Sequence, residues 1–282
     1  MGSSVVSRAS GLHGPATELS TPLEGGRVVG WFSDGIASAI TCKLLLRDYP
    51  EALIVHCDTG SEDEDNARFR ADCQRWFNRE ILILKNPEFE DNYAVWTKRR
   101  YMSGIAGAPC TMEQKVLPRL EFQQPGDVHV FGYTWDSRDR ARFDAFGANY
   151  PDLIARAPLI EREISKANCL AMIQDVGIEP PRTYGMGFPN ANCLKTGCVK
   201  ATSPDYWALF RKVFPDRFAK TAAVARDIGA RLVILDRETL EDGRTKNIRG
   251  FIDEIPADWP TLNPVAPACD FLCHINGQDL AA

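Results

Sequence analysis

Short apolar runs alternate along the chain with polar, charged stretches. Val28-Val29-Gly30-Trp31-Phe32 reads as a buried strand, and after a polar turn Ala39-Ile40-Thr41-Cys42-Lys43-Leu44-Leu45-Leu46 reads as a helix. Ala52-Leu53-Ile54-Val55-His56-Cys57 predicts a second strand. Residues 68–78 predict a helix with Phe69, Cys73, Trp76 and Phe77 on one stripe. A third strand is expected over 80–84, a helix over 92–103 ending at Gly104, and a fourth strand over 127–133. A charged helix is expected over 136–146, and a further helix over 164–176 stopped by Gly177. Strands alternating with helices predict an α/β fold, with a mainly parallel, doubly wound sheet covered on both faces. After Pro180 the pattern changes. Pro, Gly, Asn and Cys dominate up to Pro204, a helical run covers 205–214, and Arg231-Leu232-Val233-Ile234-Leu235 is an edge strand or part of a small substructure. The expected division is a flexible tail over 1–25, an α/β domain over 26–180 and a Cys-rich C-terminal region over 181–282.

The first turn, Ser33-Asp34-Gly35-Ile36-Ala37-Ser38, joins a strand to a helix start. Amides free at a first helical turn point at an anion there, and the helix dipole favours negative charge. Gly35 lets backbone approach a phosphate, and Ser33 and Ser38 add hydroxyl donors. The plainer alternative is a βα turn with a serine cap. Asp34 is the discordant residue, since a carboxylate beside a phosphate repels it. It is expected either to point away from the ligand or to sit near a metal ion. The second strand ends in Asp58-Thr59-Gly60, with the acidic helix start Ser61-Glu62-Asp63-Glu64-Asp65 after it. Both turns fall at carboxyl ends of strands, where open parallel sheets bind ligands. Asp58 is a candidate for a ribose or Mg²⁺ contact, or else a helix cap.

The composition is that of an ordinary globular chain: 282 residues, 44% hydrophobic and 25% charged. A net charge of −5 gives no global attraction to nucleic acid, although 98–100 and 138–142 are locally basic. No apolar run approaches the ~20 residues of a membrane span, and no secretory h-region is expected, which together predict a cytoplasmic protein. Nine cysteines in such a chain predict thiols or metal ligands rather than disulfides. Cys42, Cys57, Cys73 and Cys169 fall in apolar or helical patterns and read as core. Cys110, Cys193, Cys198, Cys269 and Cys273 fall in Gly/Pro/Asn-rich loops. Cys193/Cys198 and Cys269/Cys273 form two close pairs, a spacing open to a 4Fe–4S cluster or to Zn²⁺, with Cys110 able to replace one of them. His56 reads as a satisfied core histidine, and Trp31, Phe32, Trp76 and Phe77 as core aromatics.

Together these segments resemble the phosphoadenosine phosphosulfate (PAPS) reductase family of the adenine-nucleotide α-hydrolase (PP-loop ATP pyrophosphatase) superfamily. The Ser-Gly loop and Asp58-Thr59-Gly60 match it. So does the segment 107–119, where Cys110 stands for one of the family's paired cysteines and Lys115 occupies its basic position. Asp136-Ser137-Arg138-Asp139-Arg140-Ala141 resembles the family's Gln-Ser-x-x-Arg-Ala, in which Ser and Arg hold phosphate or sulfate oxygens. Tyr184-Gly185 followed by Cys193 and Cys198 resembles its tyrosine-glycine and cysteine pair, at a wider Cys-x4-Cys spacing. Two departures stand out. Asp34 replaces a glycine usual in the ATP pyrophosphatase branch. Thr134, after Gly132, stands where the reductases carry an Arg.

The resemblance implies an adenine nucleotide, ATP, bound by Ser33, Gly35, Ser38, Asp58, Thr59, Gly60, Gly132, Ser137 and Arg140. Lys115 would act in catalysis. Mg²⁺ and a 4Fe–4S cluster on four of Cys110, Cys193, Cys198, Cys269 and Cys273 would be cofactors, with Zn²⁺ as the alternative metal. The enzyme would cleave the α–β bond of ATP and adenylate an acceptor in sulfur-transfer chemistry. The alternative is a thioredoxin-dependent PAPS/APS reductase with Cys273 as nucleophile. A nucleotide-binding module with structural zinc is a third. The partners implied are a thioredoxin-like reductant or a sulfur donor, nucleic acid as acceptor, no membrane, and a second copy in a homodimer.

Overall fold

The structure is a computed structural model and describes residues 26–261, except Ile105 and Asn192. The chain begins β1 (Val28–Trp31), α1 (Ile36–Asp48), β2 (Leu53–Cys57), α2 (Asp65–Phe77), β3 (Ile81–Leu84), α3 (Asn92–Arg99). Asp91 caps α3 by accepting the Ala94 N–H. The sequence pattern runs this helix on to residue 103, but Arg100 turns left-handed (φ 49°) and ends it. A continuous helical stretch follows, unforeseen in the sequence: α4 (Pro109–Thr111), a π-helical turn Met112–Val116, and α5 (Leu117–Phe122). Then come β4 (Val128–Val130), α6 (Ser137–Asn149), β5 (Ile154–Arg156), α7 (Pro158–Glu161) and α8 (Lys166–Asp175). A Ser165–Asn168 capping box starts α8. The C-terminal part holds α9 (Arg182–Gly185), α10 (Pro204–Val213), α11 (Pro215–Ile228), β6 (Val233–Thr239) and β7 (Thr245–Gly250).

The five strands β1 to β5 form one parallel sheet in the order β3-β2-β1-β4-β5. This is the doubly wound α/β arrangement expected from the alternating pattern. Side chains alternate across the pleat, so Val28 and Phe32 enter one core and Val29 and Trp31 the other. The first core packs α1, α2 and α8 on one face, with Leu45, Phe69 and Ile173 at its centre. The second packs α6 on the opposite face through Phe146. A third core joins Tyr93 and Trp96 of α3 and Cys110 of α4 to Tyr206, Trp207 and Phe210 of α10 and Ala222 and Ala225 of α11. It therefore draws on segments from both sides of residue 180. The late apolar run 231–235 leads into β6, which pairs antiparallel with β7 as a separate ribbon, so it belongs to a small substructure and not to the main sheet.

The chain builds β1, β2 and β3 in one direction and then crosses to lay β4 on the far side of β1. The connections leaving β1 and β4 therefore diverge, and a crevice opens at the carboxyl ends of these strands. Open α/β sheets bind ligands at such a reversal.

Candidate functional site

A cavity of about 300 Å³ occupies that crevice, at the lower end of the range for ligand pockets. Its floor is made by the strand ends: Trp31 at the end of β1 and Phe32 just after it, His56 and Cys57 of β2, and Phe131, Gly132 and Tyr133 after β4. Ser33, Gly35, Ala37 and Ser38 line one wall at the start of α1. Ser38 ties the loop together, since its hydroxyl donates to the Gly35 carbonyl (2.8 Å) and accepts the Ser33 amide (3.0 Å). The two serine hydroxyls are 3.1 Å apart. The Ile36 amide donates to the phenol oxygen of Tyr184, which also lines the cavity; burial pushes that phenol up, so it stays neutral.

Gly132 lines the cavity and sets the distance between β4 and α1. A Cβ there would lie 2.9 Å from both Cα and N of Ser38. Gly132→Ala is therefore expected to push the start of α1 outward and cost about 1.5 kcal/mol, measured by denaturant unfolding. An unchanged midpoint would show that the helix start yields without cost.

Four cations stand round the cavity: Lys115 from the π-helical turn, Arg138 and Arg142 from α6, and Lys166 at the start of α8. Arg138 and Arg142 are four residues apart and share a helical face. Burial and the neighbouring Arg142 charge hold Arg138 below its ordinary pKa. Lys166 is also held down by burial, and its ammonium donates to the Pro189 carbonyl at 2.5 Å. Three carboxylates accompany them. Asp139 receives the Thr134 amide (3.1 Å) and hydroxyl (2.9 Å), Asp136 also receives that hydroxyl (2.7 Å), and Glu62 receives the Thr59 hydroxyl (2.6 Å). Thr134 thus fixes two acids of the cavity rim.

Cys57, expected as core, is buried and also lines the cavity. Burial, only partly offset by the Lys115 charge, pushes its thiol up to about 12, so it is a neutral thiol at physiological pH. His56 is satisfied on both nitrogens, as expected. Nδ1 lies 3.0 Å from the Phe32 carbonyl and so carries the proton, and Nε2 accepts from Arg70 at 2.9 Å.

Several residues singled out in the sequence lie elsewhere. Asp58 is turned into its own loop, accepting the Gly60 amide at 2.9 Å and pairing with Lys85 at 3.3 Å. Burial favours its neutral form, but these partners hold its pKa below the usual range. Thr59 faces Glu62 and lies 3.9 Å from the Cys193 sulfur. Gly60 packs under Glu90. Ser137 and Arg140 are exposed, and the Arg140 guanidinium lies over Trp135, 4.3 Å from the ring centre. The family motif points to Arg140; helical phase brings Arg138 and Arg142 to the cavity instead. Lys166, Tyr184, Asn190 and Glu62 also line it and were not picked as ligand residues from the sequence. Tyr184 belongs to the tyrosine-glycine match, Lys166, Asn190 and Glu62 carry no distinguishing local signal, and only the folded chain brings the four together.

The seven described cysteines are all buried and none forms a disulfide. Cys110 and Cys198 belong to the third core, and Cys193 sits beside it in a left-handed conformation (φ 52°). Among the described residues, the trio of His, Cys, Asp or Glu whose ligand atoms gather within 4.8 Å is His56, Asp58 and Glu62. Cys110, Cys193 and Cys198 alone therefore do not assemble a single-ion zinc site. Cys269 and Cys273 lie outside the described residues. The His56 trio does not suit a cation either, because Arg70 occupies Nε2 and Lys85 pairs with Asp58. No helix among the described residues is long and apolar enough to cross a membrane.

No family model and no curated protein matches the chain. Among solved structures it is similar to phosphoadenylyl-sulfate (PAPS) reductase from Candida auris in a phosphate complex: TM-score 0.45, 12% identity, covering 59% of this chain and 81% of that one. It is also similar to the U34-tRNA thiolase of Methanococcus maripaludis with its 4Fe–4S cluster: TM-score 0.40, 13% identity, covering 73% of this chain and 72% of that one. The first bears the name of the family that the sequence motifs resemble. At this identity neither likeness carries a substrate or an activity across.

Proposed function

We propose that the chain is an enzyme of the PP-loop type that binds ATP across the carboxyl edge of its sheet and cleaves the α–β bond. One observation supports this above the others: a hydroxyl-lined helix start and four cations face a single cavity at the strand-order reversal. Helix amides with the Ser33 hydroxyl suit a polyphosphate, Ser38 shapes the loop by donating to the Gly35 carbonyl, and Lys115, Arg138, Arg142 and Lys166 suit the negative charge. Trp31, Phe131 and Tyr133 give the apolar wall that a base needs.

In this reading an acceptor oxygen attacks the α-phosphorus. The bond from the α-phosphorus to the bridging oxygen breaks, and pyrophosphate leaves with the electron pair. The cations stabilise that developing charge from fixed positions. Mg²⁺ bound with the nucleotide would supply further charge neutralisation. A sulfur nucleophile then displaces AMP from the acceptor. The cysteine-bound cluster of this scheme needs four thiolates; the described residues hold three of its candidates, Cys110, Cys193 and Cys198, which would ligate it together with Cys269 or Cys273, and none of these steps uses it.

The reductase reading needs a thiolate nucleophile. Cys57, held neutral in the cavity, does not supply one, and that reading rests on Cys273. The test is release of labelled pyrophosphate from ATP carrying ³²P at the γ-phosphate, with PAPS and APS assayed in parallel for sulfite in the presence of thioredoxin. Pyrophosphate without sulfite is expected, and Lys115→Ala should weaken ATP binding about ten-fold or more. Sulfite release abolished by Cys273→Ser would replace this reading with the reductase. Failure of both nucleotides to bind at micromolar concentration would leave a module without this activity.

A further inference from the structure

Asp34 lies inside the proposed phosphate loop, where a carboxylate opposes the ligand. Its backbone is left-handed (φ 57°), a conformation that Asp and Asn tolerate better than most residues. The side chain is fully buried and does not line the cavity. It meets Arg70 of α2 through two parallel bonds, Nε to Oδ1 at 2.9 Å and Nη2 to Oδ2 at 2.5 Å. The same Nη2 donates to His56 Nε2, and His56 in turn holds the Phe32 carbonyl just ahead of the loop. Asp34 and Arg70 thus place one carboxylate and one guanidinium against each other beneath the loop.

We infer that Arg70 is the counter-charge that lets a loop containing Asp34 bind an anion. The inference rests on the nucleotide reading above. Arg70 and Asp34 are positioning residues, since neither lines the cavity. The fork fixes the left-handed turn that aims the following amides, and it cancels a charge that would repel phosphate. Arg70 also lies within electrostatic reach of Glu62 and Asp58, so its charge offsets more than one acid at this end of the sheet.

The two members of the pair should then act in opposite directions, which a purely structural role would not produce. The full-length chain is titrated calorimetrically with inorganic pyrophosphate and with ATP. Arg70→Gln is expected to weaken pyrophosphate binding about ten-fold or more, because the Asp34 charge is left uncompensated. Asp34→Asn, which keeps the turn, should tighten it about three-fold or more. The double variant should return to within about three-fold of wild type. Where Arg70→Gln does not fold, Asp34→Asn with and without Arg70→Gln carries the comparison, since neither strands a carboxylate. Loss of Arg70 in that background should again weaken binding. Weakening by both single changes, with no recovery in the double, would overturn the inference and leave the nucleotide reading standing. A wild-type chain that binds neither ligand would remove both.

Discussion

Gly60→Ala is expected to destabilise the protein by about 3 kcal/mol, read as a lower denaturant midpoint at unchanged slope. A Cβ at this position would lie 1.9 Å from the Glu90 carbonyl oxygen, well inside contact distance, and the backbone is left-handed at φ +64°. The left-handed backbone alone costs of order 1 kcal/mol for a residue with a side chain. The clash adds more because the surroundings are held on every side. The Gly60 amide donates to Asp58, the Lys195 amide donates to the Ser61 carbonyl at 2.9 Å, and the Asn92 amide donates to the Ser61 hydroxyl at 2.9 Å. Moving Glu90 away would pull on the start of α3, and moving Gly60 would detach the segment that carries Cys193. Gly177 provides the control. It is also left-handed (φ +74°), but a Cβ there meets nothing within 4 Å. Gly177→Ala should cost about 1 kcal/mol. Equal effects at the two glycines would show that the Glu90 contact carries no energy.

This assigns Asp58-Thr59-Gly60 a structural task. The loop ties the end of β2 to α3 and to the cysteine segment, through Lys195 on Ser61, Asn66 on the Ala191 carbonyl and Thr59 beside Cys193. From the sequence, the turn was readable as a loop at the carboxyl edge of the sheet. Its contacts were not, because its partners lie some thirty and more than a hundred residues away, and pattern reading is local. The strands with long apolar runs, β1, β2 and β3, were legible for the opposite reason: each is covered on both sides or bounded by clear turns. β5 was missed because Ile154-Ala155-Arg156 is short and half-buried, with no apolar run to mark it. α11 was missed because its apolar side is built largely from small residues, Thr221, Ala222 and Ala225, which leave a weak stripe.

The site shows the same division. Ser33, Gly35 and Ser38 were visible because a strand, a polar turn and a helix follow in order. Arg138 and Arg142 were within reach of the sequence through their four-residue spacing, had the phase of α6 been known. Lys166 and Tyr184 were not, since their place at the cavity depends on how α8 and the 181–191 segment fold back over α1. Asp34 was legible as a discordant charge beside a phosphate loop. Its neutralisation was not, because Arg70 sits on α2 among other charged residues, with nothing local to mark it.

Asp63→Asn is expected to lower stability by about 2 kcal/mol near neutral pH, with the deficit shrinking as the medium is made acid. The Asp63 carboxylate is buried and serves two arginines from distant segments: Arg182 at 2.7 and 2.9 Å, and Arg217 at 3.0 Å. It also accepts the Asp65 amide at 3.1 Å, at the start of α2. One side chain thus joins α2 to α9 and α11. Burial works against its charge, but the hydrogen bonds from Arg182, Asp65 and Arg217 more than compensate, and its pKa is held below the usual carboxylate value. Breaking a fully buried pair costs about 3–5 kcal/mol. The smaller figure reflects the arginines, whose side chains are 44% and 24% exposed and so stay partly hydrated. The sign follows from proton binding. With the folded pKa depressed, the unfolded chain binds more protons at acid pH, so the stabilisation is complete above the unfolded value near ~3.9 and is lost as the pH falls through the folded one. Asparagine cannot titrate. The difference between wild type and Asp63→Asn should therefore be flat from about pH 7 to 5 and close progressively below about pH 4, measured by urea unfolding at a series of pH values. A difference that stayed constant into acid would show that the loss comes from packing or geometry and not from the carboxylate's charge.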